Sequence, residues 1–127
     1  MIPAGSGGRR ERLARLCLGL PEAERLIRGK HLQFTVRGKA FAYYAYNEHN
    51  DGRIALLCKA LPGEQSALVS SGPERFFVPA YIGPKGWIGL RLDLPGIDWD
   101  EVERLLTASY TLVAPRKLTA AIGQTTA

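Results

Sequence analysis

The residue types that could bind a metal or act as nucleophiles are few and widely spaced. His31 and His49 are 18 positions apart, and Cys17 and Cys58 are 41 positions apart. Metal sites need several ligands at short, regular spacing, so this pattern predicts no metal and no cofactor. A nucleophilic cysteine needs partial exposure and a neighbouring base. Both cysteines fall on apolar stripes, which predicts small, buried side chains instead.

The densest acidic group could suggest a pair of catalytic carboxylates. It consists of Asp98, Asp100, Glu101 and Glu103. Three of these residues lie at the start of a predicted helix, where capping and the helix dipole favour anions without any catalysis. The sequence has no Gly-x-Ser-x-Gly motif to mark a serine nucleophile. These observations predict that the protein is not an enzyme.

The charge distribution gives a more positive indication of function. The 127 residues include 17 Lys and Arg against 12 Asp and Glu, a formal net charge of +5. Residues 25–47 contain no acid but carry five cations, which are Arg25, Arg28, Lys30, Arg37 and Lys39. Uneven charge is common in soluble domains. The alternative is a basic face that meets phosphate or an acidic partner.

Length and composition indicate one globular domain. The chain is 46% hydrophobic and 23% charged, which is ordinary for a soluble protein. No apolar run approaches the ~20 residues of a membrane span. We therefore expect a cytoplasmic protein without a membrane partner, and we favour a monomer. The chain divides into a flexible leader at 1–8, a single domain at 9–122 and a tail at 123–127.

Periodicity and turn signals predict the elements that must position these residues. We expect helices over 9–19 and 62–70 and strands over 31–37, 53–59, 75–78 and 87–92. A two-residue turn at Gly38 and Lys39 joins the first strand to another that ends at Tyr46. A last helix begins after Asp98 and ends or kinks at Pro115. The order predicts an α+β fold, with an antiparallel sheet covered by helices on one face.

The register of the first hairpin predicts a site on the open face of that sheet. It pairs Gln33 with Tyr44 and His31 with Tyr46, and it points these four side chains away from the helices. Cations interleaved with aromatic rings suit single-stranded nucleic acid, because bases stack on the rings and phosphates need positive charge. The candidate binding residues are Arg25, Arg28, Lys30, His31, Gln33, Arg37, Lys39, Tyr44, Tyr46, Lys59, Trp87 and Arg91.

Several short motifs, taken in order, resemble the MmcQ/YjbR-like family. Residues 17–23 (CLGLPEA) resemble its opening "LslPea", and residues 36–42 (VRGKAFA) resemble its "v.gK.Fa" hairpin. Residues 77–81 (FVPAY) and 86–88 (GWI) resemble its "v.pay…gWv" segment. Residues 98–101 (DWDE) and 109–113 (SYTLV) resemble its closing "dwdEl…SY.lv". The likeness covers about residues 13–118.

The resemblance implies a two-layer α-β(3)-α-β(2)-α fold similar to that of secretion chaperones. Members of this family of small bacterial proteins are largely uncharacterised and are commonly labelled DNA-binding. Many carry a Trp-Gly pair where this chain has the basic residues 28–31 (RGKH).

Three interpretations of the candidate site remain open. The first is DNA or RNA binding through the basic, aromatic-bearing sheet face. The alternative is a protein interaction or adaptor module with a chaperone-like fold and no catalytic activity, because Tyr, Trp and Arg are enriched at protein interfaces. The third is a solvated sheet face without a partner.

Overall fold

The computed structural model describes residues 6–47 and 50–125 of the chain. This part contains four α-helices, six β-strands and a short 3-10 helix at Gly83–Lys85. In chain order the main elements are α1 (Ser6–Leu18), β1 (Ala23–Arg28), β2 (His31–Val36), β3 (Lys39–Tyr46), β4 (Ile54–Lys59), α2 (Glu64–Ser71), β5 (Phe76–Phe77), β6 (Trp87–Arg91), α3 (Trp99–Val113) and α4 (Arg116–Thr125).

The strands form one antiparallel sheet in the order β1-β2-β3-β4-β6-β5. The helices pack on one face, where Leu13, Phe34, Leu56, Ile88 and Leu106 belong to the main core. The predicted α+β class is therefore confirmed. The structure adds β1 before the predicted strands and α4 after the last predicted helix, so the order is α-β(4)-α-β(2)-α-α.

Helices extend across both predicted domain boundaries. α1 begins at Ser6, so residues 6–8 of the expected leader are helical, while residues 1–5 lie outside the described part. α4 runs to Thr125 and takes in residues 123–125 of the expected tail, and residues 126–127 are not described. His49 also falls outside the described residues. Where the structure describes the chain, no helix is both long and apolar enough to cross a membrane.

β1 is the strand that periodicity did not predict. It lies at the edge of the sheet and five of its six residues are exposed, so no apolar alternation marks it. Gly29, with a φ of 60°, and Lys30 form the two-residue turn that joins β1 to β2 and sets Arg28 opposite His31. A two-residue turn that contains glycine is itself a hairpin signal.

The β2–β3 hairpin forms, but the predicted turn and register are wrong. The turn residues are Arg37 and Gly38, with φ values of 51° and 78°, and both are positive as in a type I′ turn. An extra residue in β3 near Phe41 then shifts the pairing once more, and Leu32 faces Tyr44. Because a slip of one residue moves each side chain to the other face, Tyr44 lies beneath the helices.

Two side chains of α3 fasten the helical layer to the sheet. The buried Ser109 hydroxyl donates to the Phe41 carbonyl at 2.6 Å and accepts from the Lys59 amide at 2.8 Å. These backbone groups lie just past the end of the β3–β4 ladder, where no strand pairing satisfies them. The Tyr110 hydroxyl donates to the Pro21 carbonyl at 2.6 Å. Both residues therefore satisfy backbone groups that would otherwise lack partners.

The second face of the sheet, opposite the helices, is partly covered. Residues 77–86, here called the cover segment, fold back across it. A Cβ at Gly89 would lie 2.4 Å from the Phe77 ring, so glycine is needed there for the ring to lie on the sheet. Trp87 packs beside Tyr43 with ring centroids 5.4 Å apart, and both belong to a second, smaller apolar cluster.

Candidate nucleic-acid interface

The three aromatic residues of the predicted site are not exposed. Tyr44 is 1% exposed on the helix-covered face, and its burial raises the pKa of its hydroxyl. Trp87 is on the second face as predicted, but it is 7% exposed within the smaller cluster. Tyr46 is half-buried and pairs with Ile54 on the helix side. The predicted platform of Tyr44, Tyr46 and Trp87 is therefore wrong.

Two of the predicted cations are held by carboxylates. Arg37 donates through Nε and Nη2 to Glu22 at 2.6 and 2.9 Å, and this hydrogen bonding lowers the pKa of Glu22. Arg91 donates in the same two-pronged way to Asp93 at 3.1 and 2.6 Å. Burial, the largest single effect, would raise the pKa of Asp93, but the hydrogen bond and charge of Arg91 and the backbone hydrogen bonds together lower it. These charges are matched locally.

Three further predicted residues do not converge on one patch. Gln33 lies on the second face, where its side-chain oxygen accepts from Arg28 Nε at 3.1 Å. Lys39 is exposed opposite Val36, at the other end of β2 from Arg28. Lys59 ends β4 opposite Trp87. The cations of residues 25–39 are thus divided between the two ends of β2.

Four cations lie on α1 and the β1–β2 hairpin, with Arg25 on the helix-covered face of the sheet and Arg28 on the second face, and they are here called the hairpin cluster: Arg10, Arg25, Arg28 and Lys30. Arg10 projects from α1, and its guanidinium lies 6.0 Å from the centroid of the Tyr44 ring. The ammonium of Lys30 lies 4.6 Å from the centroid of the Tyr46 ring. The two rings are two residues apart on the same side of β3, so they bring α1 and the hairpin turn together.

Carboxylates offset only part of this charge. Glu11 contacts Arg10 at 2.9 Å and Arg25 at 3.9 Å. Among the described residues, no acidic side chain forms an ion pair with Arg28 or Lys30. Within that part of the chain the two cations are not neutralised by a carboxylate, and such cations attract anions.

A cavity of about 300 Å³ lies beside the hairpin cluster on the second face. Arg28 and His31 line it together with Tyr43, Tyr81 and Ile82. The Tyr81 side chain is 80% exposed, and its backbone φ of 67° is uncommon for a residue with a side chain. The cavity thus combines an arginine, an imidazole and two phenol rings.

The cavity continues along the cover segment. An adjoining space of about 250 Å³ shares Ala45, Leu57 and Ala80 with it. Arg53 lines this second space, and its guanidinium lies 4.2 Å from the centroid of the Phe77 ring. The small side chain of Ala45 leaves room between the rings at one end and the arginine at the other.

The chain matches the family model named YjbR over residues 18–112. The protein belongs to the YjbR family. A crystal structure of the Deinococcus radiodurans protein DR2400, described as a DUF419 domain, shares its fold, with a TM-score of 0.70 at 20% sequence identity. The alignment covers 90% of this chain and 87% of that one. No curated protein matches the chain significantly.

The residues that resemble YjbR motifs have structural roles in this chain. Asp98 caps α3 by accepting from the amides of Asp100 and Glu101, as the sequence predicts. The Glu101 carboxylate does not complete a capping box but accepts from Arg75 at 2.5 Å. Tyr110 of one motif bonds to Pro21 of another. The motifs therefore specify the fold shared by the YjbR family, whose function is uncharacterised.

Two residues of the cavity were missed by the sequence interpretation. Tyr43 was assigned to the helix-covered face because the register was wrong by one residue at that point. Tyr81 lies in a segment that offers no periodicity, between Pro79 and the turn at Gly83. A position between a proline and a glycine indicates a loop. An aromatic residue in a loop is the one indication that could have identified Tyr81 as a candidate binding residue.

Metal binding and thiol chemistry find no support in the described residues. No group of three or more His, Cys, Asp or Glu side chains is close enough there to hold a metal ion. Cys17 and Cys58 are buried and unbonded, as predicted. Burial raises the pKa of the Cys58 thiol to about 12, and it raises the pKa of Cys17 as well. Neither thiol has the thiolate character of a nucleophile at neutral pH.

Proposed function

We propose that the protein binds single-stranded nucleic acid, DNA in the first place, through the hairpin cluster and the cavity beside it. The observation that carries this proposal is one juxtaposition. Arg28 and Lys30 have no carboxylate partner in the described structure, and Arg28 lines a cavity together with the exposed Tyr81. This site replaces the sheet-face platform expected from the sequence.

The cations supply the binding of the phosphate backbone. Arg25, Arg28 and Lys30 come from a single hairpin, and Arg10 joins them from α1. Arginine offers planar, forked donors to phosphate oxygens, and lysine offers a mobile point charge. Phosphate contacts of this kind account for most of the affinity in binding that does not depend on sequence.

The cavity supplies a place for a base. Its volume is at the lower end of the range for ligand pockets. Tyr43 and Tyr81 offer ring faces, and Arg28 and the His31 imidazole offer donors. The His31 Nδ1 accepts from the Tyr46 amide at 3.1 Å, so the ring proton is on Nε2. A base can enter only when it is unstacked, which favours single strands over duplexes.

The experiment that tests the proposal is fluorescence anisotropy with a labelled mixed-sequence oligonucleotide at low salt. The wild type should bind the single strand more tightly than the matching duplex. The variant Arg25→Gln/Lys30→Gln should bind the single strand about tenfold or more weakly, because two phosphate contacts are lost.

The matched control is Lys85→Gln/Arg104→Gln, which lowers the net charge by the same amount. Lys85 and Arg104 are both exposed and lie outside the hairpin cluster. The control should bind like the wild type. Equal weakening by the two double variants would show that only overall charge matters. Tight binding to polyglutamate but not to the oligonucleotide would favour an acidic protein partner, and either result contradicts the proposal.

A further inference from the structure

The two edges of the sheet differ in how well they are protected. β5, at one edge, is two residues long and leads directly into the cover segment. β1, at the other edge, is six residues long, with Leu26 46% exposed and Ile27 62% exposed. A long edge strand with exposed apolar side chains is a template for pairing with another strand.

The turn geometry shows which backbone groups of β1 are available. Arg28 and His31 flank a two-residue turn, so Arg28 forms hydrogen bonds with β2. Bonding directions alternate along an antiparallel strand, and the amide and carbonyl groups of Arg25 and Ile27 therefore point away from the sheet. The Ala23 amide, which shares this direction, donates to the Leu20 carbonyl at 3.2 Å, in agreement with the alternation.

The side chains of β1 on the second face form a charge pattern that is complementary to an antiparallel copy of itself. Glu24, Leu26 and Arg28 face Thr35, Gln33 and His31 of β2, and so lie on one side of the sheet. Their order is acidic, apolar, basic. An antiparallel copy presents basic, apolar, acidic, so each charge would meet its opposite.

We infer that β1 pairs with β1 of a second copy of this chain, antiparallel, about a two-fold axis at Leu26. In this register Glu24 faces Arg28 of the second copy and the two Leu26 side chains meet at the axis. Arg25 faces Ile27 of the second copy, and their outward backbone groups form the hydrogen bonds. The result is a continuous sheet of two copies. Moving the two-fold axis by one residue, from Leu26 to Arg25, would set two Arg25 side chains against each other.

The dimer should be weak, because two six-residue strands bury less area than the ~1,200 Å² typical of specific stable interfaces. This inference departs from the monomer that the sequence favours. Its test is separate from that of nucleic-acid binding because it contains only the protein, although Arg25 and Arg28 belong to both proposed surfaces.

Sedimentation velocity of the full chain over a series of concentrations tests the inference. The wild type should show a reversible monomer–dimer equilibrium. Glu24→Arg should weaken association about tenfold or more because it sets two arginines against each other across the axis, and Arg28→Glu should do the same with two glutamates. The double variant Glu24→Arg/Arg28→Glu should dimerise like the wild type, since the pattern is again self-complementary.

Leu26→Lys provides a second line of evidence. It places two positive charges at the two-fold axis of the dimer, whereas in the monomer the new lysine is exposed to solvent. It should reduce dimerisation with an unchanged melting temperature in dilute solution. A wild type that stays monomeric up to about millimolar concentration would overturn the inference. So would a double variant that is no better than its two single variants, since the charges would then not face each other.

Discussion

Arginines at the two ends of the sheet have different surroundings. Near β5 and β6, Arg75 reaches the Glu101 carboxylate at 2.5 Å and Arg91 reaches Asp93 at 2.6 Å. At the β1–β2 hairpin, Arg28 reaches the side-chain oxygen of Gln33, and the Lys30 ammonium lies over a tyrosine ring. The first two cations are neutralised by carboxylates, whereas Arg28 and Lys30 have no carboxylate partner among the described residues.

This difference explains why counting cations in the sequence is not sufficient to locate a basic site. Arg37 and Arg91 belong to the same basic set as Arg28, yet each has its own carboxylate. A cation in a two-pronged pair with a carboxylate contributes little field at a distance. The proposed binding surface is therefore located by Arg28 and Lys30, which have no carboxylate partner among the described residues.

Among the substitutions that test this comparison between the two ends of the sheet, we expect the largest effect on oligonucleotide affinity at Tyr81. Tyr81→Ala should weaken binding of a single-stranded oligonucleotide by about 5- to 150-fold, the range for loss of one stacking ring. Tyr81→Phe keeps the ring and should bind like the wild type. Both substitutions leave the positive φ as it is, so they isolate the ring. Equal affinity of the alanine variant and the wild type, measured by anisotropy, would remove the cavity from the site.

The next effect is on stability, at the paired end of the sheet. Arg91→Met leaves the Asp93 carboxylate, which is 8% exposed, without its main partner. We expect a loss of about 1–3 kcal/mol in the free energy of unfolding, measured by urea denaturation. Oligonucleotide affinity should stay unchanged. If affinity fell while stability did not, Arg91 would belong to the binding surface and the comparison between the two ends would fail.

The smallest effect concerns the exposed pair at the β2–β3 turn. Arg37 lowers the pKa of Glu22, so this carboxylate stabilises the fold above its unfolded pKa, and the stabilisation is lost as pH falls through the folded pKa. Glu22→Gln should therefore lower the melting temperature slightly at neutral pH, and its difference from the wild type should vanish once the pH is below the lowered folded pKa of Glu22.

Glu103→Gln is the control for that measurement. Glu103 is exposed on α3, and its substitution removes the same charge away from the turn. The control should show no such convergence with the wild type. A Glu22→Gln variant that remained less stable at low pH would show that the carboxylate acts through packing.

Sequence periodicity correctly located several elements that have one buried face. It predicted α3 with its Asp98 cap and the strand over 53–59, where β4 lies. It failed at β1, whose exposed residues show no alternation. The error has a physical reason, since an edge strand is held by backbone pairing and not by apolar burial.

The candidate site was harder to predict than the fold, because it depends on register and on ion pairs. Arg37 adopts a positive φ in the turn, which few residues other than glycine do, and the extra residue in β3 near Phe41 then places Tyr44 beneath the helices. The carboxylates of Glu22 and Asp93 are 15 and two residues from their arginines. Only the folded chain shows that the first of these pairs forms.

The salt dependence of oligonucleotide binding tests the central claim most directly. If the four cations of the hairpin cluster contact phosphates, log K for a single strand should fall with log salt at a slope of about −3. For Arg25→Gln/Lys30→Gln the slope should flatten to about −1.4, while Lys85→Gln/Arg104→Gln should keep the wild-type slope. Equal slopes for the wild type and the hairpin variant would contradict the assignment of phosphate binding to the hairpin cluster.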